Sequence, residues 1–166
     1  MIDFFHKGAE MTKKVTGIAR LKGAPKVNPR PSRKITCAGT FYNEDDAVTS
    51  ILLEVADTPA ARERGLMGRE DLPSICGMLF EGLTGPGNFW MKNCLIPLDV
   101  AFMDNDGMIT KTYSMPVDKD GENHYEYDES DKSAVEVPMG FLKKWGIREG
   151  FRFGVKRLSG KEGSDG

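Results

Sequence analysis

One carboxylate constrains this chain more than any other residue. Residues 89–102, FWMKNCLIPLDVAF, contain an apolar run over 95–102 that would read as an unbroken core strand if Asp99 did not interrupt it. The two-residue period of a strand over 98–103 puts Leu98, Val100 and Phe102 on one face and Asp99, Ala101 and Met103 on the other. Asp99 therefore shares its face with apolar side chains, where a carboxylate has to be paired, hydrogen-bonded or protonated. Arg69 and Lys92 are the natural counter-charges. Earlier in the same stretch, Phe89, Trp90 and Met91 call for burial, while Lys92 and Asn93 call for partners.

A length of 166 residues with 39% hydrophobic content allows one domain with its own core, plus tails. The net charge of -2 hides a segregation: residues 1–40 sum to +7 and residues 41–166 to -9. The organisation expected is a basic extended arm over 1–47, a body over 48–157 and a flexible tail over 158–166. Pro25, Pro29 and Pro31 hold the arm extended. Its candidate partner-binding residues are Lys13, Lys14, Arg20, Lys22, Lys26, Arg30, Arg33 and Lys34. Within it only 18–21 (IARL) and 35–42 (ITCAGTFY) look able to pair as strands. The first apolar patch precedes its lysines, the reverse of a signal peptide, and no run of eighteen apolar residues exists. A cytoplasmic or particle-associated protein is expected. Cys37, Cys76 and Cys94 are far apart, which suits reduced thiols.

The body reads as short strands. Residues 49–55, 76–80, 98–103, 108–115, 133–137 and 151–155 each have the apolar, branched or alternating character of a strand. Asp57-Thr58-Pro59 starts a short helix that Gly65 ends, and residues 140–145 form a second that Gly146 closes. Arg62, Arg64 and Arg69 are expected mostly in solvent. Asp104-Asn105-Asp106-Gly107 is a hairpin turn; its glycine comes fourth, which does not fit a calcium loop. Residues 117–131 carry seven carboxylates without periodicity and read as a surface loop or edge. The fold class is mainly β: a compact small barrel or sandwich of six to seven short strands with two short helices, largely antiparallel, plus the extended arm.

Common catalytic constellations do not emerge. Cys94 follows Lys92 and Asn93, but the only histidines are His6 and His124, so a buried inert thiol is the stronger reading. No zinc spacing, dinucleotide or phosphate-binding glycine motif or nucleophile elbow occurs, so neither metal nor cofactor is expected. What remains is a candidate pocket of Arg69, Trp90, Lys92, Asn93, Asp99 and Glu136, charged or polar groups set among apolar neighbours. As structure, Asp99 and a cation pin the 89–97 loop to the body. As function, Asp99 with Arg69 and Lys92 lines a pocket for a polar ligand or for acid-base work. The structural reading is the stronger.

Several motifs also occur in an informative order. Residues 64–69 (RGLMGR), 77–80 (GMLF), 89–93 (FWMKN) with Pro97, Leu98 and Asp99, and Glu136 with Gly140, Ile147 and Gly150 resemble the signature of the "domain of unknown function 192" family. The resemblance covers about residues 50–155. It implies a small β-barrel-like domain and no established activity. Phe151 departs from the family pattern, which usually has an acidic residue there, and the basic arm departs as well.

The functional expectation is a non-enzymatic binding or structural module that its basic arm docks to a protein partner in a larger assembly, such as a virion. Phosphates of a nucleic acid are a weaker partner for the arm, since no nucleic-acid motif accompanies it. A membrane partner is not expected. The alternative is a small-ligand-binding protein or enzyme using Arg69, Lys92 and Asp99.

Overall fold

A computed structural model describes residues 34–158. Nine strands and two short helices form in the order β1 (Cys37–Asn43), β2 (Asp46–Ala56), α1 (Pro59–Arg64), β3 (Cys76–Glu81), β4 (Gly87–Trp90), β5 (Leu98–Met103), β6 (Ile109–Met115), β7 (His124–Tyr127), β8 (Ser133–Pro138), α2 (Phe141–Trp145) and β9 (Arg152–Arg157). Seven of them make one sheet in the order β6-β5-β8-β3-β2-β1-β9, and β4 and β7 pair as a small second sheet. All pairings are antiparallel except β2 with β3, the strands that α1 connects. The mainly β expectation holds, with more strands than the sequence pattern isolates. None of the helices among the described residues is long and apolar enough to cross a membrane.

The large sheet curls until its two edge strands approach each other. Met108 bridges to Arg152, the Ile109 N–H donates to the Phe151 carbonyl at 2.8 Å, and the Phe153 N–H donates to the Gly107 carbonyl at 2.8 Å. Contact is confined to that end, so the sheet is not closed along its length. Its concave face encloses Phe41, Ile51, Leu53, Leu79, Met103 and Val135, and the apolar residues of α2, Phe141 and Leu142, pack into the same cluster. The other face carries a second cluster around Met78, Phe80, Val100, Phe102 and Met115. Phe89 of the small sheet joins it through edge-on contacts with Phe80 and Phe102.

Local signals explain the elements. The Thr58 side chain accepts the Ala61 N–H at 3.2 Å and Pro59 follows at the first helical position, so α1 starts where its residue types dictate. In the β5–β6 turn the Asp104 carboxylate accepts the N–H groups of Asp106 and Met108, both at 2.9 Å, and Gly107 takes φ +75°. One boundary is corrected: residues 37–47 belong to the sheet and not to the arm, the expected strand at 35–42 forming β1 between β2 and β9, because 37–41 are buried on both faces. In the acidic 117–131 segment, read as a surface loop or edge, residues 124–127 are the edge strand β7, held to β4 by backbone pairing. Of the arm's eight candidate partner-binding residues only Lys34, which is exposed, is described; Lys13, Lys14, Arg20, Lys22, Lys26, Arg30 and Arg33, the possible strand 18–21 and the tail 159–166 lie outside the described residues.

Candidate functional site

Asp99 is 1% exposed and lies on the concave face, as its strand alternation requires. No cation among the described residues accompanies it. Its carboxylate accepts the Ser114 hydroxyl at 2.7 Å from the paired strand β6, and the N–H groups of Gly140 at 2.9 Å and Leu142 at 3.2 Å. The last two are donors at the start of α2, whose first turn leaves them without helical partners. Asp99 thus fixes α2 over the mouth of the core, and the expected pairing with Arg69 or Lys92 is corrected. A backbone cap supplies the donors that burial demands.

Arg69 is engaged elsewhere. Its guanidinium clasps Glu54 on β2 in a two-pronged pair of 2.5 and 2.6 Å, and this hydrogen bonding holds its pKa above the ordinary arginine value. Arg62, also expected in solvent, donates to the backbone carbonyls of Asp57 and Glu81. The buried Asp131 accepts from the Thr110 hydroxyl and the Asp128 N–H.

Trp90, Lys92 and Asn93 do come together. Strand β4 turns Phe89 inward and Trp90 outward, so the indole is 42% exposed where its size alone calls for burial. Met91, fully buried, anchors the following turn, closed by the Cys94 N–H on the Met91 carbonyl at 3.0 Å. Asn93 takes φ +61°, and its carbonyl accepts the Gly68 N–H at 2.9 Å. That bond ties the 90–93 turn to the loop after α1. Between them lies an open depression of about 390 Å³. Trp90, Lys92 and Asn93 form one wall, and Ala60, Glu63, Arg64 and Met67 form the other. Lys92 Nζ sits 5.7 Å from the Trp90 ring centre, within cation–π range. Sequence reasoning passed over Ala60, Glu63, Arg64 and Met67, although their spacing of i, i+3, i+4 and i+7 marks one face of a helical turn.

Glu136 stands apart from both groups. It occupies the convex face of β8, opposite Met78 of β3 and Val100 of β5, and is 5% exposed. No partner for its carboxyl occurs among the described residues, and burial pushes its pKa up to about 8. Cys94 lies close enough to feel its charge. Burial first, then Glu136, raises the Cys94 thiol to about 11, which leaves it protonated and weakly nucleophilic at neutral pH. The six candidate residues therefore divide: three line the depression, Arg69 serves Glu54, Asp99 serves α2, and Glu136 is alone. Among the described residues no group of three or more His, Cys, Asp and Glu side chains is arranged to hold a metal ion.

Comparison with known proteins places the chain. Residues 41–155 match the family described as DUF192, uncharacterised ACR. Among solved structures, one from Sinorhizobium meliloti, described as a candidate transcription regulator, is similar with a TM-score of 0.67 and 28% identity, over 76% of this chain and 98% of that one. A protein of unknown function from Novosphingobium aromaticivorans is similar with a TM-score of 0.67 and 26% identity, over 80% of this chain and 93% of that one. No curated protein matches.

Proposed function

The chain belongs to the domain of unknown function 192 family, and from that premise we propose that it is a non-enzymatic binding module whose ligand seat is the depression between α1 and the 90–93 turn. The observation that carries this reading is a difference among its cations. Arg62, Arg69 and Arg157 are spent on internal acceptors, whereas Arg64 and Lys92, which line the depression beside the exposed Trp90, have no carboxylate partner among the described residues. Two unspent cations flanking an aromatic face suit a ligand with a carboxylate or phosphate on a planar or apolar body. The catalytic alternative draws no support from the geometry, since Asp99 lies on the opposite face of the sheet from Arg69 and the two do not share a pocket.

Tryptophan fluorescence tests the reading. In a Trp145→Phe background only Trp90 reports, and phenyl phosphate should quench it saturably while benzyl alcohol does not. Quenching should weaken roughly tenfold in Lys92→Ala or Arg64→Ala, the scale of one charged hydrogen bond. Absence of any saturable response to phenyl phosphate or benzoate sinks the proposal.

A second reading follows from the description of the Sinorhizobium protein as a regulator of transcription. On it, the basic residues of 1–34 neutralise nucleic-acid phosphates, and affinity for duplex DNA falls steeply with salt. Docking into a larger assembly, a virion among them, is the remaining role for that segment and rests on its charge alone. Fluorescence anisotropy with labelled duplex at two salt concentrations separates the two: salt-dependent binding lost on removal of residues 1–33 favours nucleic acid.

A further inference from the structure

Glu136 is the one buried carboxyl among the described residues that has no bonded partner, and the reason is visible in the sheet. Asp99 and Asp131 are surrounded by hydroxyl and N–H donors, whereas the neighbours of Glu136 across the sheet are Met78 and Val100, which donate nothing. Cross-strand neighbours of this kind have Cβ atoms about 5 Å apart, so both side chains pack directly on the carboxyl stem. Neither cation expected near this group reaches it: Arg69 pairs with Glu54, and Lys92 lies against the Trp90 ring at the edge of the depression.

The carboxyl is nevertheless not sealed. Among the described residues, no side-chain nitrogen or oxygen that is wholly shut off from solvent lacks a hydrogen bond. Glu136, lacking one, therefore touches the surface through its 5% exposed fraction. The pairing of β3 with β8 ends at Met78 and Glu136. Beyond that pair, the same end of the sheet presents three exposed apolar side chains: Ile75 before β3, Leu95 before β5 and Met139 after β8. The Met139 N–H on the Pro97 carbonyl, 3.3 Å, holds the 94–97 loop beside the end of β8. The recessed carboxyl, which has no counter-charge among the described residues, thus lies toward the end of the sheet where these apolar side chains are exposed.

We propose that Glu136 anchors a second ligand site, distinct from the Trp90 depression, that takes an organic cation: an ammonium or guanidinium group on a short apolar body. The cation meets the carboxylate, and the apolar body covers Leu95, Met139 and Ile75. Few other charges face the group. Cys94 is a neutral thiol; Glu54 is two strands away, about 10 Å, and neutralised by Arg69; Tyr113 lies beyond Val100 in the same cross-sheet row. The protonated carboxyl must release its proton when the cation arrives, so affinity rises with pH until the free carboxyl is itself ionised.

Calorimetry of the full chain with butylammonium chloride is the test, with butanol and ammonium chloride as the two half-ligands. Butylammonium should bind about tenfold more tightly at pH 7 than at pH 6 and level off above pH 8, as one linked proton requires. At pH 7, heats in two buffers of different ionisation enthalpy should report close to one proton released. Both half-ligands should bind at least tenfold more weakly. Glu136→Gln, which replaces the carboxyl with an amide of the same shape, should fold normally and lose both the binding and its pH dependence, while Glu54→Gln should keep them. Binding that is unchanged in Glu136→Gln, or that is pH-independent, or no binding at pH 8, overturns the proposal. None of these results depends on the Trp90 depression.

Discussion

The Asp99 carboxylate and the Gly140 backbone N–H, 41 residues apart in the chain, are joined at 2.9 Å, and this bond docks α2 against the sheet. With the Leu142 N–H and the Ser114 hydroxyl it gives the buried carboxylate three donors. Each is a charge-assisted bond, worth about 1.5–3 kcal/mol relative to an unsatisfied group. Asp99→Ala should destabilise the protein by about 3–5 kcal/mol, because it removes three bonds at once and leaves the Leu142 N–H buried without an acceptor. Asp99→Asn keeps one acceptor oxygen and should cost about 2 kcal/mol, and Ser114→Ala about 1 kcal/mol. Urea unfolding followed by near-ultraviolet circular dichroism measures all three; an Asp99→Asn protein as stable as the parent contradicts the cap.

The distance between what the sequence discloses and what the structure adds is clearest at Asp99. Alternation over 98–103 places its side chain on the right face, and burial requires a partner, so the demand is legible. The supplier is not: Gly140 and Leu142 donate from the backbone, and backbone donors leave no trace in residue type. For the same reason β7 is hidden in an acidic segment, since backbone pairing with β4 does not depend on its side chains. Trp90 shows the opposite failure. Large aromatic bulk predicts burial, but inside β4 the period of two sends Phe89 inward and leaves Trp90 out, and only knowing that 87–90 is a strand reveals which is which. Family motifs, turn residues and the Thr58-Pro59 start of α1, all local, are readable in the sequence.

Glu136 should make stability depend on pH in a direction opposite to most carboxylates. Its folded-state pKa, about 8, lies above the ordinary value of 4.5, so the native state holds the proton more tightly than the unfolded state does. Between those two pH values the native state binds more protons, and stability therefore falls as pH rises, levelling off above about pH 8. The slope attributable to this group approaches 1.4 kcal/mol per pH unit at most, and the residual solvent contact of the carboxyl reduces it. Unfolding free energies at pH 5, 6.5 and 8.5 should show the decline in the parent and its loss in Glu136→Gln, which should also be the more stable protein at pH 8.5.

Arg69 and Glu54 form a two-pronged pair whose side chains are 25% and 12% exposed, between the surface and interior regimes. Fully exposed pairs contribute little, whereas a half-buried bidentate pair keeps more of its coulombic attraction. A double-mutant cycle of Arg69→Ala with Glu54→Gln should give a coupling of about 1–2 kcal/mol. Raising the salt concentration from low to molar should reduce it by less than half, since burial limits screening. A coupling near zero means the pair is solvated in solution.

The 90–93 turn depends on an unusual backbone angle, and this separates geometry from chemistry at the proposed ligand seat. Asn93 is one of two non-glycine residues among those described with a positive φ, +61°. Asparagine tolerates that region better than most side chains, and alanine pays about 1 kcal/mol or more for it. Asn93→Ala should therefore destabilise the protein by about that amount, while Asn93→Gly, which has no Cβ to strain, should be close to neutral. The tether itself survives both changes, because Gly68 donates to the backbone carbonyl of residue 93 and not to its side chain. Gly68, at φ +72° with open space around its missing Cβ, provides the matching case: Gly68→Ala should cost about 1 kcal/mol through backbone strain alone. Binding measured beside stability then completes the argument. If Asn93→Gly folds like the parent yet binds phenyl phosphate more weakly, the amide touches the ligand; if stability and binding are both unchanged, Asn93 serves the turn and the cations beside Trp90 carry recognition.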